Sequence, residues 1–176
     1  MNTFAVYARV EITAAPEWLA LFMKKYGSTT EPHVTLKQTC FIEEGEREAV
    51  REMVKRFFSN RPKAEYPVQI IFNSLRTKPD WDAILVDAED SLDIQSLQKD
   101  LVRALASYRR YVEPELESYE KNFAPHLTIA DGIPVGLRAT LSIAVSEKFP
   151  FEIKGVIREI ILAFGDGTKE AFPLSF

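Results

Sequence analysis

Pro32-His33-Val34-Thr35-Leu36 and Pro125-His126-Leu127-Thr128-Ile129 hold both histidines of this 176-residue chain, each in the same Pro-His-apolar-Thr-apolar phrase. Side chains of a β-strand alternate between its two faces, so a His and a Thr two residues apart emerge side by side. The residue between them, Val34 or Leu127, then points into the layer beneath. Each phrase reads as a strand that presents one imidazole and one hydroxyl on a common surface. A single histidine in a strand is more often a packed structural residue than a catalyst. The repetition of the flanking Pro and Thr argues for function here. Two such strands facing one cleft supply a pair of imidazoles, suited to proton transfer near neutral pH.

The surroundings of the two phrases also match. A polar loop ending in Pro precedes each, Ser28–Pro32 for the first and a Glu-rich segment, Glu113–Asn122 and on to Pro125, for the second. Before the first phrase, Phe4–Ile12 alternates as a strand. Pro16 then opens a helix carrying Trp18, Leu19, Phe22 and Met23, which Gly27 stops. The first motif strand is expected over His33–Ile42, followed by a helix from Glu43 to Ser59 that Arg61-Pro62 closes. Tyr66–Arg76 and Trp81–Asp87 read as a hairpin around Lys78-Pro79-Asp80, with Arg76 and Lys78 as solvated turn residues. A helix capped by Asp90 or Ser91 runs to Tyr108.

The second motif strand is expected over His126–Ala130, and a helix over Pro134–Lys148. Strands follow at Phe149–Lys154, Glu159–Phe164 and Ala171–Leu174, the last two joined by the turn Gly165–Lys169. The order of elements in the second half echoes the first. The chain is therefore expected to be α+β and bilobal with a pseudo-two-fold relation, its antiparallel sheets lining a central cleft and helices outside. Residues 1–176 read as one domain of two pseudo-symmetric lobes.

Composition narrows the partners. The hydrophobic share of 46% and charged share of 27% are those of a globular chain. A net charge of −4 and a pI near 5.4 argue against a long nucleic-acid footprint held by phosphate neutralisation. The single Cys40, expected as a buried thiol, fits a reducing cytoplasmic setting. No basic stretch followed by an apolar run marks a signal peptide, and no run reaches the length of a membrane span. No metal-ligand cluster is visible, and neither a metal nor another cofactor is expected.

With both motifs placed, the chain resembles the two-histidine phosphoesterase superfamily, which includes 2′,3′-cyclic nucleotide phosphodiesterases and the LigT-like proteins labelled 2′-5′ RNA ligases. The likeness rests on His33-Val-Thr35-Leu, on His126-Leu-Thr128-Ile, and on the whole stretch Lys121-Asn-Phe-Ala-Pro-His-Leu-Thr-Ile-Ala130. It implies a LigT-like fold with both motifs facing a water-filled cleft. It also implies metal-free cleavage or formation of phosphodiester bonds at a ribose 2′-oxygen. His33 and His126 are then the acid–base pair, and Thr35 and Thr128 the phosphate donors.

Three further residues are candidates for substrate contact. Lys37 lies two past Thr35 and is expected on the same face, near a phosphate. Tyr7 on the first strand and Phe123 ahead of the second motif are aromatic groups able to stack a base, although core packing is the simpler reading of both. The expected reaction is hydrolysis of a 2′,3′-cyclic phosphate or a 2′-5′-linked nucleotide by a monomer acting on a small nucleotide or RNA end. The alternatives are a 2′-5′ RNA ligase and a module that binds nucleotides without turning them over.

Overall fold

The strands that carry the two motifs are the two ends of one sheet. In the computed structural model, which describes residues 2–27, 31–60, 67–89 and 92–174, twelve elements follow in order. They are β1 (Asn2–Ala14), α1 (Glu17–Tyr26), β2 (His33–Ile42), α2 (Arg47–Ser59), β3 (Val68–Arg76), β4 (Ile84–Ala88), α3 (Leu92–Ala104), α4 (Glu115–Lys121), β5 (His126–Ala130), α5 (Val135–Ser146), β6 (Ile153–Phe164) and β7 (Lys169–Pro173). The loop residues 28–30, the helix stop at Arg61-Pro62, the strand start at Tyr66 and the caps at Asp90 and Ser91 lie outside the described residues.

All pairings are antiparallel, and the hydrogen-bonded path runs β2-β1-β6-β3-β4-β5, with β7 added to β6. β2 and β5 sit at opposite ends of this path yet touch each other, so the sheet curls until it is nearly closed. The expected class, α+β with antiparallel strands and helices, is what the chain adopts. Where the sequence suggests sheets in the plural, one seven-stranded sheet runs through both motifs.

Period-2 burial explains the layers. Phe4, Val6, Ala8 and Val10 of β1 are buried at 0–3% exposure, as are Val34 and Leu36 of β2 and Leu127 and Ile129 of β5. They join Leu19, Val50, Val54, Ile94, Leu97 and Leu101 from the helices in a single core. α1 packs against β5, and α3 and α4 pack against β2. Each fully buried Leu or Ile of this kind contributes roughly 1.5–3 kcal/mol by removal from water. No helix among the described residues is long and apolar enough to cross a membrane.

Two elements differ from the sequence reading. β6 is one continuous strand over Ile153–Phe164, where the sequence reading places two strands, Phe149–Lys154 and Glu159–Phe164. A Cβ on Gly155 would lie 2.5 Å from Val10 Cγ1, so this glycine admits a close neighbour strand and does not end its own. The Glu-rich stretch before the second motif contains the short helix α4. Its polar sequence hides the one position it buries, Glu120.

Glu120 is also why Lys37 does not reach the cleft. The β1–β2 register slips between Phe4 and Val6 and again between Val6 and Tyr7, so extra residues of β2 are accommodated as a bulge. Strict alternation fails there, and Leu36 and Lys37 are both buried at 1% exposure. Lys37 Nζ donates to both carboxylate oxygens of Glu120 at 2.9 and 3.0 Å and stands 4.5 Å from the Tyr111 ring centroid. Glu120 also accepts from Tyr111 Oη at 2.6 Å and from the Gln38 N–H at 3.0 Å. Burial, and then this bond to a carboxylate, push the Tyr111 hydroxyl well above its ordinary pKa. Lys37→Met leaves a buried carboxylate without its cation and is expected to cost about 3–5 kcal/mol in chemical denaturation. Adding Glu120→Gln should recover part of that loss, since a neutral amide oxygen still accepts from Tyr111 and Gln38.

Candidate active site

The phrase Pro-His-x-Thr builds the same local structure twice. In the first copy the Pro32 carbonyl accepts the Val10 N–H of β1 at 2.8 Å; in the second the Pro125 carbonyl accepts the Ala88 N–H of β4 at 2.8 Å. Proline also confines the residue before it to extended backbone, which fixes how the chain enters each strand. The carbonyl of that preceding residue then meets the imidazole. His33 Nδ1 lies 2.8 Å from the Glu31 oxygen, and His126 Nδ1 lies 2.9 Å from the Ala124 oxygen.

A carbonyl only accepts, so each Nδ1 carries the proton and each Nε2 is left for chemistry. In both copies the imidazole and the threonine are half-buried while the residues between and after them are fully buried. His33 and Thr128 line one cavity of about 210 Å³, together with Met23, Lys24, Gly27, Glu31 and Pro32. Groups from both motifs thus share one space, which the contact between β2 and β5 creates. The Asp131 N–H, just past β5, donates to the Tyr26 carbonyl at 3.0 Å and ties the second motif to the end of α1.

The residues directly across the ladder differ in sign between the copies. Arg9 of β1 is opposite His33, and Asp87 of β4 is opposite His126. Arg9 pairs with Glu31 at 2.9 Å and with Glu159; Asp87 pairs with Arg76 at 2.6 Å. Burial lowers the pKa of His126, and the nearby charges of Arg76 and His33 lower it further, while Asp87 and the bond to Ala124 work the other way. Glu31 behaves differently. Burial alone would raise its carboxyl, yet hydrogen bonds from Tyr7, Arg9 and Lys169 hold it at about 2.

His126 and Thr35 are not part of that cavity lining, and neither are Lys37, Tyr7 and Phe123. Lys37 is sealed in its ion pair on the far side of the β2 bulge. Tyr7 is 5% exposed; its ring packs 4.8 Å from the His33 ring, and its hydroxyl donates to Glu31 Oε1 at 2.7 Å. Phe123 packs against the edge of the core. Cys40 is buried, which pushes its thiol pKa up, and its Sγ lies 3.5 Å from the Tyr108 carbonyl. Sequence reasoning passed over Glu31 as a loop residue and left Arg76 on a turn. Only the cross-strand register puts Arg76 and Asp87 beside His126.

A family model described as the 2′-5′ RNA ligase superfamily matches residues 9–162. The chain belongs to that superfamily of two-histidine phosphoesterases. No curated protein sequence matches it significantly. In fold it is similar to Usb1 of Kluyveromyces marxianus, at 11% identity over 97% of each chain with a TM-score of 0.52. The structure of that protein with uridine monophosphate matches at 12% identity over 98% of each chain, with the same TM-score of 0.52.

The charges around His126 set a measurable order. Its NMR titration midpoint should lie below the ordinary 6.5. Arg76→Gln removes a cation and should raise the midpoint; Asp87→Asn removes an anion and should lower it. Equal midpoints in all three proteins would contradict this account of the site.

Proposed function

We propose that this protein is a phosphodiesterase acting on a 2′,3′-cyclic phosphate or a short 2′-5′-linked nucleotide, with His33 and His126 as its acid–base pair. The observation that carries this reading is the matched presentation of the two imidazoles. Each is pinned through Nδ1–H to a carbonyl, which leaves Nε2 for proton transfer, and His33 shares a cavity with Thr128 of the other motif. The family supports the bond type, and the structural neighbour solved with uridine monophosphate supports a nucleotide in a fold of this kind.

Hydrolysis of a cyclic phosphodiester needs a proton taken from water on one side of phosphorus and a proton given to the departing ribose oxygen on the other. His126 is the base, because burial favours its neutral form at pH 7. Its Nε2 takes a proton from water, the water oxygen bonds to phosphorus, and the bond to one ribose oxygen breaks. His33, the acid of the pair, gives its Nε2 proton to that oxygen. The hydroxyls of Thr35 and Thr128 donate to the non-bridging oxygens, where charge accumulates in the transition state. With a ribose hydroxyl in place of water as the nucleophile, the same steps open the cyclic phosphate and form a new phosphodiester, which is the ligase reading the family name favours.

The test is product analysis with 2′,3′-cyclic mononucleotides, 2′-5′ oligoadenylate and ADP-ribose 1″,2″-cyclic phosphate in the presence of EDTA. A 2′-phosphate, a 3′-phosphate or a shortened oligomer identifies both the substrate and the bond cleaved. His33→Ala and His126→Ala should each abolish turnover while the circular dichroism spectrum stays unchanged. Thr35→Val and Thr128→Val should cost about a hundredfold in kcat, the scale of a lost oxyanion donor. Full activity in both histidine variants would rule the mechanism out, and binding without product across the panel would favour a binding module. The acid limb of the kcat/KM profile should fall below pH 6.5, because His126 must be deprotonated to act and its pKa is lowered.

A further inference from the structure

The two motif histidines share a backbone device but not its support. The carbonyl that receives His126 Nδ1–H belongs to Ala124, whose side chain ends at Cβ. The carbonyl that receives His33 Nδ1–H belongs to Glu31, whose carboxylate is held from three sides. Tyr7 Oη donates to its Oε1 at 2.7 Å, Arg9 Nη2 lies 2.9 Å from its Oε2, and Lys169 Nζ lies 3.3 Å from its Oε1. Two of these partners are on β1 and the third is on β7.

The geometry matters because Pro32 fixes only one of the two torsions that aim this carbonyl. The ring sets φ of Pro32, while ψ of Glu31 keeps an extended range some 40° wide. Anchoring the Glu31 side chain to two strands narrows that range. Tyr7 acts twice, since the ring whose hydroxyl holds Glu31 also packs on the imidazole at 4.8 Å. The arrangement also explains how a carboxylate is tolerated in the lining of a cavity suited to phosphate. Arg9 and Lys169 counter its charge, and Glu159 balances Arg9 in turn.

We propose that Glu31 is a positioning residue for His33: its carboxylate, tied to Tyr7, Arg9 and Lys169, aims the backbone carbonyl that keeps the proton on Nδ1 and turns Nε2 into the cleft. The proposal rests on the phosphodiesterase reading for its catalytic consequence, but not for its structural one. The competing account is that Pro32 and the Val10–Pro32 bond aim the carbonyl without help, as Pro125 and Ala88 do in the second copy.

Long-range ¹H–¹⁵N NMR of the imidazoles separates the two accounts without any substrate. Wild-type protein should show Nδ1–H on both histidines. In Glu31→Ala the His33 signals should move toward a mixture of tautomers while those of His126 stay in place. With a 2′,3′-cyclic mononucleotide, kcat should fall about 10- to 100-fold, a fraction of what a general acid or base contributes, with KM within about threefold. Glu31→Gln, which keeps an acceptor for Tyr7 and loses the charge facing Arg9 and Lys169, should show a smaller change of the same kind. If Glu31→Ala disturbs His126 as well, Glu31→Gln replaces it, with the same His33 signals deciding. An unchanged His33 tautomer with kcat within twofold overturns the proposal. A shifted tautomer in a protein that turns over nothing on the panel overturns the phosphodiesterase reading and leaves the positioning role standing.

Discussion

A lysine and a glutamate with almost no exposure to water hold the two motifs in relation to each other. Lys37 belongs to β2, four residues past His33, and Glu120 belongs to α4, six residues before His126. Removing both charges from water is costly, and their attraction offsets that cost only with good geometry and further hydrogen bonds. Here the geometry is complete, since both carboxylate oxygens meet the ammonium and the remaining capacity is filled by Tyr111 and Gln38. The pair bridges the strand of the first motif to the segment that delivers the second. It joins, through side chains, two regions at opposite ends of the sheet's hydrogen-bonded path.

Local rules then finish each half of the site. The proline before each histidine commits its carbonyl to a neighbouring strand and the preceding carbonyl to Nδ1. The period-2 alternation leaves His and Thr on the open face and drives Val34, Leu36, Leu127 and Ile129 into the core. Differences arise only in what surrounds the copies. Arg9, Glu31, Tyr7 and Lys169 crowd His33, whereas His126 faces the Arg76–Asp87 pair. Two equivalent strands acquire unequal electrostatics in this way, an asymmetry that the proposed acid–base pair would use.

The legible parts of the fold were those governed by short-range periodicity. β2, β5 and α1 are found near their expected bounds because proline, alternation and the 3.6-residue repeat act within a few residues. The misreadings share another cause. The interval between Lys154 and Glu159 does not read as strand, yet β6 runs through it, and Gly155 there leaves room for the Val10 side chain of an adjacent strand. Lys37 was placed beside Thr35 because alternation was carried through a bulge that only the pairing with β1 creates. The segment 113–122 looked like loop because Glu120, the residue that buries it, is charged and finds its partner 83 residues away.

The sequence by itself determined that two strands would each present an imidazole and a hydroxyl. That pattern depends on side-chain direction within five residues, and the chain carries it twice. It also carried the two motifs on which the resemblance to the two-histidine phosphoesterases rests. Tertiary structure decided that both strands would be sheet edges curled toward each other. It also decided that burial would lower the pKa of His126, and that Tyr7, Arg9 and Lys169 would hold the Glu31 carboxylate beside His33. Those outcomes depend on register, burial and charge across distances of tens of residues, where no local pattern reports which side chain will meet which.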